Sequence, residues 1–123
     1  VQRKFRLTRS EDFKRVRRSG KSYAHPLVVL IVQTHDRRSN PVDQPRVKVG
    51  VAAGRTIGTA VHRNRAKRLL REAIRTLLPN IVSNLDLILI ARSGLVTATL
   101  EETRQALLNL LGRAKILNST NES

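Results

Sequence analysis

The segment from Thr59 to about Leu78 limits what this chain can fold into more than any other stretch. Placed on a helix at about 100° per residue, Ala66, Leu69, Leu70, Ala73, Ile74 and Leu77 fall in one apolar arc. Arg63, Asn64, Lys67, Arg68, Arg71 and Arg75 fall in the arc beside it. Such a helix must bury one face and present a dense positive face to something else. Between Arg55 and Arg75 seven basic residues (Arg55, Arg63, Arg65, Lys67, Arg68, Arg71 and Arg75) meet one acid, Glu72. Like charges three and four residues apart repel, and a face meant only for water normally interleaves Glu to relieve them. Six of the seven are arginine, whose planar fork grips phosphate oxygens in pairs. The pattern points to nucleic acid.

The rest of the chain agrees. Lys and Arg number 24 against 9 Asp and Glu, a net charge of +15. Residues 1–75 hold 20 basic and 5 acidic side chains, whereas residues 76–123 hold 4 of each. A merely soluble surface mixes both signs; segregation assigns one region to a polyanion and the other to completing the fold. An anionic membrane surface is the competing partner, but it wants an exposed apolar helical face, and here the core needs that arc. A ribosomal or assembly protein would explain the charge equally well, and composition does not separate that reading from others.

Several classes fall away. With no cysteine there is no disulfide framework, zinc ribbon or thiol chemistry. The longest apolar run, Leu27 to Val32, is six residues, against the roughly 20 of a membrane-spanning helix. No apolar stretch follows the N-terminal charges, so the cytoplasm is the expected location. The three histidines, His25, His35 and His62, are scattered without metal-ligand spacing. Glu101 and Glu102 are favourable charges at a helix N-terminus. No catalytic residue and no metal ligand is nominated, so any reaction is expected to occur outside this chain.

At 123 residues the chain makes one domain, with residues 117–123 expected to fray. Thr8 to Glu11 reads as a capping box, with Ser10 the rival cap, opening a helix to about Arg18 that stops at Gly20. Leu27–Thr34 and Arg46–Ala53 are Val- and Ile-rich strands. The polar stretch from His35 to Pro45 suits a long hairpin connection between them. Ser22 to His25 adds an edge strand. Asp86 to Ala91, apolar almost throughout, is expected at the centre of the sheet. Thr99 to Glu102 repeats the capping-box pattern and opens a last helix to about Leu117. This order predicts an α+β fold, a two-layer sandwich of about four strands and three helices.

Two features keep two readings each. The run Gly50 to Gly58 matches neither the phosphate-loop nor the dinucleotide spacing; it is either a tight turn or a place where amides approach a phosphate. Phe13 sits on a short basic helix, where it either packs in the core or stacks a base.

The stretch from Thr56 to Glu72, with Arg63-Asn64-Arg65 at its centre, resembles the Arg-Asn-Arg signature of the bacterial ribonuclease P protein subunit. Glu11-Asp12-Phe13, Val49-Gly50-Val51 and Leu89-Ile90-Ala91-Arg92 extend the likeness over roughly residues 5–117. The resemblance implies a ribonucleoprotein endonuclease that removes the 5′ leader from precursor tRNA. Its RNA subunit is the catalyst and carries divalent metal ions, with Mg2+ expected there and no cofactor on the protein. The implied partners are the catalytic RNA and precursor tRNA; no membrane and no obligate protein partner is implied. The family fold also implies a left-handed β-α-β crossover around the basic helix, against the usual hand. Carried over by position, Arg55, Arg63, Asn64, Arg65, Lys67, Arg68 and Arg71 contact RNA, while Phe13, Arg17 and Arg92 belong to a leader cleft between sheet and first helix. Gly58, Ala60 and Val61 match as turn and packing residues. The chain departs from the family's pattern in three places. Gly54-Arg55-Thr56 replaces Ser-Lys-Lys, Arg17 stands where a second aromatic is common, and Val28 and Ile31 replace strand aromatics. These departures imply a cleft that grips by charge more than by stacking.

Overall fold

The computed structural model describes residues 10–34, 47–82 and 84–117. Three helices, α1 (Ser10–Ser19), α2 (Ala60–Leu77) and α3 (Leu100–Arg113), accompany four strands, β1 (Lys21–Ala24), β2 (Val28–Thr34), β3 (Val47–Ala52) and β4 (Leu85–Ala91). Short 3-10 turns at Arg55–Ile57, Leu78–Asn80 and Ser93–Thr97 join them. The strands form one sheet in the order β1-β2-β4-β3. β1 and β4 both run antiparallel to β2, and β3 runs parallel to β4. The parallel neighbours β3 and β4 are joined through α2, which makes the β-α-β unit.

β2 and β3 therefore do not pair, and the hairpin expected between them is corrected: β4 lies between them. The cause is composition. Leu85, Leu87 and Leu89 on one face of β4 and Ile88 on the other are all buried, so this strand needs cover on both faces and a partner on both edges. The residues expected to form that hairpin's loop, 35–45, lie outside the described ones, as do Thr8 and residues 118–123.

Alternation along the strands divides the apolar residues between two cores. Val28, Leu30 and Val32, Val47 and Val49, and Leu85, Leu87 and Leu89 face α2 and α3. Against them α2 sets Ala66, Leu70, Ala73, Ile74 and Leu77, and α3 sets Ala106, Leu107, Leu110 and Leu111. On the opposite face a smaller core of Val16, Ile31 and Ile88 seats α1. α1 thus covers only part of that face.

The last helix is held at its start by a complete capping box, with Glu102 N–H donating to Thr99 Oγ1 at 3.0 Å and Thr99 N–H to Glu102 Oε1 at 2.9 Å. It ends at Arg113, short of the expected Leu117. Lys115 adopts a left-handed φ of 60° and Ile116 N–H returns to Leu111 O at 3.2 Å, which closes the helix. The turn lets Ile116 enter the core and Leu117 bridge Ile81, so Leu117 is structured rather than part of a frayed tail.

Candidate nucleic-acid interface

α2 begins where the chain leaves β3 through a 3-10 turn carrying exposed Arg55. Gly58 has φ 129°, a conformation open to glycine and strained for other residues, and a Cβ there would lie 3.0 Å from His62 Nδ1. Thr59 then caps the helix, its Oγ1 accepting from His62 N–H. The helix has no acid in its first turn, where a negative charge would be favourable. The Gly50–Gly58 run is thus a strand end and a helix entry.

The sequence-derived RNA-binding residues divide around α2. Asn64 and Arg68, both exposed, lie with Arg75 along the crest opposite the buried arc. Arg63, Lys67 and Arg71, spaced four apart and half-buried, run along one flank. The Nε of Arg63 is buried without a hydrogen-bond partner. Arg65 lies on the other flank, where its Nη1 donates to Val96 O of the Ser93–Thr97 turn at 2.7 Å. Glu72, the one acid in this stretch, is exposed. It pairs with Arg75, which holds its carboxyl below the usual range. Val61, expected to pack, is 75% exposed on the crest: its direction on the helix is away from the buried arc. Ala60 is exposed as well.

The residues expected to line a leader cleft lie on the other face of the sheet. Strand registers set three rows across it: Gln33, Asp86 and Lys48; Ile31, Ile88 and Gly50; Val29, Ile90 and Ala52. α1 covers the first two. Val16 packs on Ile31 and Ile88. Phe13, half-buried, presses its ring on Gly50, where an added Cβ would meet Cζ at 2.4 Å. The third row stays half-exposed, an apolar strip beside the helix. Arg17, one helical turn after Phe13, is exposed. Arg92 follows β4 directly and donates through Nη1 to His25 O at 3.4 Å.

Of the two strand residues expected in place of aromatics, Val28 faces the main core and Ile31 lies beneath α1. The open floor is Val29, Ile90 and Ala52, which sequence reading missed; period-two alternation in the strands was the available signal. Asp86 was missed too. It is 4% exposed and pairs with Arg15, Nη2 to Oδ2 2.7 Å, in a contact that pushes the Arg15 pKa higher still. Among the described residues no group of three or more His, Cys, Asp or Glu could hold a metal ion, and no helix is long and apolar enough to cross a membrane.

A family model described as ribonuclease P matches residues 1–115. The chain belongs to the ribonuclease P protein family. It is 40% identical over 116 residues to the ribonuclease P protein component of Herpetosiphon aurantiacus, covering 94% of this chain and 89% of that one. To the Chloroflexus aurantiacus protein of the same name it is 34% identical over 125 residues, covering 100% and 87%. Among solved structures, the Staphylococcus aureus RNase P protein superposes with a TM-score of 0.77 at 26% identity, covering 93% of this chain and 98% of that one. The Thermotoga maritima RNase P protein gives 0.73 at 28% identity, covering 88% and 96%. Membership makes the chain an accessory subunit of an endoribonuclease, with ribonuclease P RNA as its partner. The two basic regions described above are thus two faces of a ribonuclease P protein.

Proposed function

We propose that the chain holds the catalytic RNA on α2 and the 5′ leader of precursor tRNA in the cleft between α1 and the sheet, and so supports maturation of tRNA 5′ ends. The observation that carries this reading is the acid-free run from Arg55, on the turn before α2, to Arg71 on the helix itself, whose opposite face is committed to the core. Arg55, Arg63, Asn64, Arg65, Lys67, Arg68 and Arg71 supply phosphate contacts there. The groups separated by the sheet suit two RNA segments at once: a backbone-gripping surface on one side, and on the other an apolar strip with Phe13 for unpaired bases and Arg17 and Arg92 for their phosphates. Mg2+ belongs to the RNA in this reading, and the assembled particle works in the cytoplasm.

The test is cleavage of a precursor tRNA by a bacterial ribonuclease P RNA at low magnesium, with and without the protein. Acceleration by the protein, with no cleavage by the protein alone, is expected. No acceleration across several catalytic RNAs would overturn the proposal in favour of a ribosomal RNA-binding role.

A further inference from the structure

The sheet face beneath α1, proposed above to receive a polyanion, contains a buried carboxylate. Among the described residues Asp86 and Thr103 are the only buried polar side chains. Asp86 stands in β4 with Gln33 and Lys48 beside it in register. The Arg15 guanidinium reaches down from α1 to Asp86 Oδ2 at 2.7 Å, bonds Gln33 Oε1, and takes Asp12 Oδ1 of its own helix at 3.2 Å. One side chain thereby ties α1 to both β2 and β4.

A carboxylate under a leader cleft has the wrong sign to attract RNA, and a buried ion pair is weak grounds for stability, since apolar residues of like volume often serve as well. Its use lies in direction. The other contacts of α1 with the sheet, Val16 on Ile31 and Ile88 and the Phe13 ring on Gly50, are apolar, and such packing does not by itself fix rotation. A guanidinium held at three points does. Arg15 and Phe13 reach the sheet on opposite sides of Val16, so turning α1 about its axis to release one displaces the other.

We propose that Asp86, acting through Arg15, is a positioning residue for leader binding: it locks the rotation and depth of α1 so that the Phe13 ring stands on Gly50 beside the Val29, Ile90 and Ala52 strip. The inference rests on the leader-cleft reading above.

The experiment uses holoenzyme assembled from each variant and catalytic RNA, comparing affinity for precursor tRNA with affinity for mature tRNA. Catalytic-RNA affinity and the thermal midpoint of each protein are measured alongside. Asp86→Asn keeps the shape and removes the charge, and should cut the preference for precursor roughly tenfold, inside the about hundredfold that a 1 Å misplacement can cost. Arg15→Gln should do the same, the double variant should be no worse than either single, and catalytic-RNA affinity should hold in all three. Arg15→Lys keeps the charge without the fork, and provides the reading if Asp86→Asn does not fold; it should also lose preference. Full precursor preference in these variants while Phe13→Ala loses it would overturn the positioning role. So would additive losses, or a parallel fall in catalytic-RNA affinity. If Phe13→Ala itself leaves the preference unchanged, the leader-cleft reading fails instead.

Discussion

Adding one methyl group at Gly50 probes how tightly α1 is seated. The new Cβ would lie 2.4 Å from Phe13 Cζ and 2.9 and 3.1 Å from the two Cε atoms. Carbon atoms rest about 3.5–4.0 Å apart, so the ring must withdraw by more than about 1 Å. It can lift α1, which pulls on the Arg15 to Asp86 bond, or swing outward and give up its burial. Overpacking of this kind costs about 1–3 kcal/mol. Alanine recovers roughly 0.5–1 kcal/mol over glycine inside a strand, because Gly50 occupies ordinary strand backbone and is required for space alone. The expected net loss is about 1 kcal/mol and at most about 2.5 kcal/mol, read from urea unfolding followed by circular dichroism with an unchanged m-value. The same substitution made in a Phe13→Ala background should be neutral or mildly stabilising, since nothing is left to collide with. Equal cost in both backgrounds would falsify the seating of Phe13 on Gly50.

Other consequences can be measured on the same footing. Leu70→Ala empties a fully buried position under α2 and should cost about 2–5 kcal/mol, visible as a large drop in the urea midpoint. Thr99→Ala removes the hydroxyl half of the α3 capping box and leaves the backbone N–H that donates to Glu102; it should cost about 1 kcal/mol, with catalytic-RNA affinity unchanged. Arg68→Ala takes one cation from the α2 crest; the slope of log affinity for catalytic RNA against log salt should flatten by about one unit, with stability within about 0.5 kcal/mol of the parent. An unchanged slope would remove Arg68 from the contact.

Much of the fold is legible in the sequence, for identifiable reasons. α2 declares itself because its apolar residues and its arginines separate cleanly at helical spacing, and the structure buries Ala66, Leu70, Ala73, Ile74 and Leu77 in line with that. β4 reads as central because leucine and isoleucine occupy both its faces. Strand pairing is not legible in the same way. Whether β2 meets β3 or β4 depends on which edges need cover, a property of the assembled sheet. The end of α3 is hidden because Leu117 suits a continuing helix as well as a bridge to Ile81. At the site, the arginines are legible as a set, but Arg65 departs from its neighbours because Val96 O, on a turn 31 residues later, lies within its reach. Asp86 is the hardest case. A lone acid near the start of a strand reads as solvent-facing, and what buries it is Arg15, 71 residues earlier in the chain.

The placing of β4 between β2 and β3 also sets the order in which the molecule can come into being. A chain emerging residue by residue has β2 and β3 in hand long before β4, yet β3 has no partner and β2 only β1 until β4 enters between them. Until Ala91 is available the strands expose unpaired edges and apolar faces, the condition that invites association with other chains. The floor of the cleft is assembled at the same moment, because Ile88 and Ile90 arrive on β4. β4 is therefore a keystone in time as well as in space, and a nascent chain has no groove beside α1 until the sheet closes.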